Sequence, residues 1–199
     1  LRGRPRLVGR PHGRPTLLEK IPHAVGAALS GLKAGLDKTA YRTTFATVPE
    51  GLGLTSLAFA DGTAMPARFT ADGAGASPPL AWTGLPPGTV RVALLCEDAG
   101  SPTPNPLVHL IAWNPDSGAP LAEGAASQAE SALDLGKNSF LKPGWLPPDP
   151  PTGHGPHAYL FQAYALDRAL DLPEHPGRGA LLEAMAGRVL AKGCLIGTY

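Results

Sequence analysis

The 199-residue chain is long enough to bury the core of one domain, and although it holds 25 Gly and 23 Pro, 43% of it is hydrophobic and gathered in short runs, which excludes a wholly disordered chain. A net charge of +1 conceals an asymmetry, since residues 1–50 carry nine Lys/Arg against Glu19, Asp37 and Glu50 while the rest carry eight against thirteen. A uniformly basic nucleic-acid-binding face is thereby excluded, and no apolar stretch reaches the ~18 residues of a membrane span.

The first residues set Arg2, Arg4, Arg6, Arg10 and Arg14 among Gly and Pro, which predicts a flexible basic arm over residues 1–20, with contact to a phosphate backbone as the sharper alternative. Nucleic acid is not the expected partner of the whole chain. Ile21, Val25, Leu29, Leu32 and Leu36 recur at spacings of three and four, so a helix is expected over residues 21–36 of a 21–50 helix-and-linker segment. Its stripe either packs on the domain or pairs two chains as a homodimer. A chain that opens on Leu1 can have lost a leader, so a cytoplasmic location is expected with a periplasmic or secreted one as the alternative.

From residue 51 onward, short β-like runs alternate with turn residues, the pattern of an antiparallel sandwich. Strands are expected over residues 54–59, 65–70, 90–96 and 107–113, and a long irregular stretch over 114–155. Residues 157–166 alternate, placing His157, Tyr159, Phe161, Ala163 and Ala165 on one face and Leu160, Gln162 and Tyr164 on the other. Leu181, Leu182, Met185, Val189 and Leu190 predict a helix over 179–192, and residues 194–199 a closing strand. Cys96, inside an apolar run, and Cys194 are read as reduced core residues, with one long-range disulfide as the alternative.

Four polar residues stand where strands meet loops: Asp72, Asp98, His109 and His157. Around Asp72, the amides of Gly73 and Gly75 can approach a bound group, Ser77 adds a hydroxyl, and Pro78 and Pro79 stiffen the loop. Two carboxylates would repel an anion, but a protonated histidine beside either one can donate to phosphate oxygens. No closely spaced histidine pair and no cysteine cluster is recognised, and Ser77 lacks a nucleophile-elbow context. Neither a catalytic residue nor a metal or other cofactor is therefore expected, although a hydrolase or metal-dependent enzyme built on the same Asp/His pocket stands as the lesser alternative.

The order Asp72-Gly73, Ser77-Pro78-Pro79-Leu80-Ala81-Trp82, Asp98-Ala99-Gly100-Ser101-Pro102, Val108-His109, Gly136-Lys137-Asn138-Ser139-Phe140 and Gly155-Pro156-His157-Ala158-Tyr159 resembles the phosphatidylethanolamine-binding protein family, and most nearly its bacterial Raf-kinase-inhibitor-like branch. The likeness spans residues 52–199. It implies a mainly β sandwich of two antiparallel sheets with a C-terminal helix, to which this chain adds an N-terminal one. It also implies a pocket for phosphate-like anions, phosphorylated small molecules or phospholipid head groups, built from Asp72, Asp98, His109, the Pro-rich loop from Pro151 to Gly155, His157 and Tyr159. For some members it implies inhibition of a kinase or protease partner. Against the family pattern, Gly100 stands in place of a second carboxylate, Ala158 in place of Arg, Arg188 in place of His and Leu107 in place of Trp. Restoring Asp at position 100 is accordingly expected to favour phosphoethanolamine over inorganic phosphate.

Overall fold

The computed structural model describes residues 29, 31–116, 118–127, 131 and 133–199. The basic arm and most of the expected 21–36 helix, with its homodimer alternative, lie outside the described residues. Of that stripe, Leu29 is helical, residues 32–35 have no regular structure, and Leu36–Lys38 form a 3-10 turn that follows Gly35 at φ 94°.

Two sheets form the domain. Strands β1 (Gly53–Thr55) and β3 (Ala81–Thr83) pair antiparallel as a small sheet. Strands β2 (Thr63–Ala64), β4 (Arg91–Asp98), β5 (Leu107–Asp116), β6 (Asp134–Leu135), β7 (Ala158–Leu166) and β8 (Val189–Thr198) form a six-stranded sheet in the order β2-β8-β7-β4-β5-β6. Every pair in it is antiparallel except the parallel edge pair β2–β8. Both faces of the central strands are covered, which is why β4 reads as a nearly continuous apolar run.

The alternation expected along β7 is the one that divides the core. Tyr159, Phe161, Ala163 and Ala165 pack with Leu54 and Trp82 of the small sheet. Leu160, Tyr164 and Leu166 face the other way, against Leu181, Leu182 and Met185 of helix α1 (Arg178–Met185) and against Ala40, Tyr41 and Phe45. Residues 39–48, expected as a linker, thus form turns that belong to this second core layer. Two buried charges fix them there. The Lys192 ammonium donates to Tyr41 O at 3.0 Å and Phe45 O at 2.8 Å, and Glu97 accepts the Ala40 amide at 2.7 Å.

Several expected boundaries move. The strand expected over 54–59 is only β1, because the Ser56 hydroxyl turns the chain by donating to Pro79 O and accepting the Ala58 amide. The strand expected over 65–70 is instead a 3-10 turn, Ala67–Phe69, entered through Pro66 and closed by amides of Phe69 and Thr70 on Pro66 O and Ala67 O. Helix α1 stops at Met185, since Gly187 at φ 70° reverses the chain and sends Val189 and Leu190 into β8. Cys96 and Cys194 are free thiols, the former buried.

Candidate functional site

Adjacent ends of three sheet strands build the candidate site. Asp98 closes β4, His109 lies third in β5, and His157 and Tyr159 stand at the start of β7, where Asp98 and Tyr159 are register partners. The Pro-rich loop supplies Leu146, Pro147, Asp149, Pro150 and Pro151 as one wall, and the cavity holds about 120 Å³. Among the described residues no Arg or Lys lines it.

The polar groups are fixed from behind. Asp98 accepts the Gly100 amide on Oδ1 at 2.8 Å and meets His157 Nδ1 on Oδ2 at 2.8 Å, with all three groups buried. The His109 Nδ1 hydrogen goes to Leu146 O at 2.7 Å, tying the sheet to the Pro-rich loop. That leaves His109 Nε2 buried without a partner, 3.9 Å from Asp98 Oδ2. Burial holds the His109 pKa below its usual value and outweighs the opposing pull of Asp98, so the ring is neutral and Nε2 offers a lone pair. Burial, and then the Asp98 charge, push Tyr159 far above the ordinary tyrosine range, so its hydroxyl keeps its proton as a donor.

Of the residues singled out in the sequence, Asp98, His109, Pro151, His157 and Tyr159 line this one cavity. The others are placed elsewhere. Asp72 is exposed and accepts a hydrogen bond from the Tyr199 hydroxyl. Gly73 and Gly75 border a neighbouring depression of about 480 Å³, separated from the first by Phe140, Leu146, Pro147 and Asp149. Ser77 and Pro78 are buried, and Ser77 is a structural clasp, its hydroxyl accepting the Ala126 amide at 3.0 Å and its amide donating to Ser127 Oγ. Gly155 is exposed at φ 90° and turns the chain toward His157. The loop from Asp72 to Pro79 is therefore absent from the lining of this cavity and contributes Gly73 and Gly75 to the neighbouring depression instead.

One central residue escaped notice in the sequence. His154 is buried, with Nδ1 2.8 Å from His157 Nε2 and Nε2 2.8 Å from Leu29 O and 3.0 Å from Leu32 O. The signal was present as His154-Gly155-Pro156-His157, where a positive-φ glycine followed by proline folds two histidines back on each other. The expectation that no histidines are closely spaced is corrected here. Their ring nitrogens face each other and are engaged, and among the described residues no group of three His, Cys, Asp or Glu is arranged to hold a metal ion.

Among the described residues no helix is long and apolar enough to cross a membrane. Residues 55–199 match the family described as phosphatidylethanolamine-binding protein. A UPF0098 protein of Methanothermobacter thermautotrophicus is 36% identical over 151 residues, covering 74% of this chain and 98% of that one. A Mycobacterium tuberculosis relative bearing a lipoprotein name, LppC, is 33% identical over 79% of this chain and 76% of its own. The solved phosphatidylethanolamine-binding protein homologue CT736 of Chlamydia trachomatis superposes with a TM-score of 0.69 at 35% identity, covering 75% of this chain and 97% of that one. The two-sheet architecture and these matches agree, and the chain belongs to the phosphatidylethanolamine-binding protein family.

Proposed function

We propose that the cavity binds a phosphorylated small molecule or inorganic phosphate and that the chain is a binding protein rather than an enzyme. The observation that carries this reading is the orphaned Nε2 of His109. A buried acceptor without a partner is costly, so the occupant must bring a hydrogen-bond donor to that atom. A phosphate monoanion does so with its P–OH, while its remaining oxygens can accept from the Tyr159 hydroxyl. The proton that binding needs comes from the ligand, because burial keeps His109 neutral. Ser77, the one nucleophile weighed in the sequence, is engaged away from the cavity, which favours binding over turnover.

A second occupant is favoured by a separate observation, the lining by Asp98 and Asp149 with no Arg or Lys among the described residues. A zwitterion such as phosphoethanolamine could set its ammonium on His109 Nε2 and Asp98. Calorimetric titration against pH separates the two. Recognition of the P–OH predicts that affinity for methyl phosphate rises about tenfold per pH unit from pH 8 toward 6 and levels off below the second pKa of about 6. Ammonium recognition predicts tighter phosphoethanolamine with no such slope. His109→Phe is expected to abolish either, and the absence of millimolar binding by both ligands in the unaltered protein would overturn the proposal.

A further inference from the structure

Hydrogens can be counted along the buried chain that links Leu29, His154, His157 and Asp98. A carbonyl only accepts, so His154 Nε2, facing Leu29 O and Leu32 O, carries a hydrogen. Between His154 Nδ1 and His157 Nε2, 2.8 Å apart, one hydrogen is required. Another lies between His157 Nδ1 and Asp98 Oδ2. Two neutral imidazoles hold two hydrogens, but the three contacts need three. Wherever the third proton is drawn, on a ring or on Asp98, the set His154, His157 and Asp98 sums to zero charge.

We infer that His154, held by the carbonyls of Leu29 and Leu32, is a positioning residue that keeps the set of His154, His157 and Asp98 electrically neutral and so sets which ligand charge the cavity accepts. Without those carbonyls, His154 is free to carry its hydrogen on Nδ1. Two hydrogens then satisfy the two remaining contacts, and the set carries one negative charge beside the cavity. The carbonyls come from a segment that precedes the family match at residue 55 and is docked by two further bonds, Ala34 N to Ser101 O and Gly35 N to Ala99 O, each 2.9 Å. That segment therefore reaches the loop following Asp98 as well as His154. Among the described residues, the other titratable groups nearby are His109 from β5, Tyr159 from β7 and Asp149 from the Pro-rich loop, while Lys33 of the segment is exposed. Among the described residues, the ring nitrogens of His154 and His157 bond to Leu29 O, Leu32 O, each other and Asp98.

The test is made on the full chain without ligand, by ¹⁵N magnetic resonance of the histidine rings at pH 7.5. The expected result is three protons over His154, His157 and Asp98 together, the Asp98 carboxyl being read from its carbon resonance in the same sample. Two protons over the three groups would overturn the inference. In His154→Phe, which leaves only the His157–Asp98 contact, those two groups should hold one proton and a net negative charge, and two protons on them would also overturn it. Should that variant not fold, the wild-type count decides. The ligand arm rests on the function proposed above: inorganic phosphate should bind the Phe variant about tenfold more weakly, from one added negative charge nearby. Failure of the unaltered protein to bind phosphate would refute that function, whereas the proton count decides the present inference by itself.

Discussion

Gly100 shows how a single position changes meaning once the backbone is in place. In the sequence it is a lost carboxylate, and restoring it was expected to alter ligand preference. In the structure a Cβ built at residue 100 would lie 2.6 Å from His157 Cα and 2.7 Å from His157 Cβ, so the glycine is what allows the Asp98 loop to close against β7. Gly100→Ala and Gly100→Asp should therefore both destabilise the protein, by about 1–3 kcal/mol for the overpacking alone, and both should weaken ligands of any charge. Urea denaturation of the two variants checks this; an undiminished midpoint in Gly100→Asp with a shifted ligand ratio would restore the electrostatic reading. His109 gives a second prediction. Its folded pKa is depressed by burial, so its contribution is fully present above the unfolded value of about 6.5 and is lost as pH falls toward the folded one. Denaturation midpoints measured from pH 7.5 to 5 should fall more steeply in the wild type than in His109→Gln. Asp98, His109, His157 and Tyr159 were legible in the sequence because each sits at a strand end and matches a family motif. Asp72 misled because an Asp-Gly before a proline pair says nothing about the direction in which its loop leaves the sheet.

At the scale of elements, periodicity read the strands buried on both faces well and the short edges poorly. β4, β5 and β7 are long enough for alternation or apolar runs to declare themselves, whereas β2 and β6 are two residues each and owe their place to pairing with β8 and β5. Val189 and Leu190 fit the helical stripe equally well, and only Gly187 tells the two elements apart. Helix α1 is also anchored by charge. Arg178 Nε donates to Glu97 Oε1 at 2.7 Å, and the same carboxylate accepts from Ala40 N and from Gln162 Nε2, whose own oxygen takes the Tyr164 hydroxyl hydrogen. Glu97 is fully buried, and Arg178 is its one cationic partner among the described residues, so removing Arg178 leaves an uncompensated charge. Arg178→Met should cost about 3–5 kcal/mol by equilibrium denaturation, and adding Glu97→Met should recover part of that loss, because a buried charge without a partner is worse than none.

Considered as a whole molecule, the family boundary at residue 55 is not a structural boundary. Ala40, Tyr41 and Phe45 are buried in the same layer as Leu181 and Met185, the Lys192 ammonium lies 4.1 Å from the Tyr41 ring centroid while binding the Tyr41 and Phe45 carbonyls, and Lys192 N itself donates to Pro49 O. Residues 39–48 therefore act as part of the second core layer and should open only when the sheet does. Native-state hydrogen exchange expresses this directly. The amides of Ala40 and Phe45, bonded to Glu97 Oε2 and Ala40 O, should exchange with the same free energy as central amides of β4 and β7. In Lys192→Met, which keeps the apolar stem but withdraws the donor from both carbonyls, protection of residues 39–48 should fall selectively while that of β4 and β7 changes far less. If those turns exchange early in the unaltered protein, with the sheet still protected, the segment is a separate opening unit, and the buried charges at Glu97 and Lys192 do not bind it into the cooperative core.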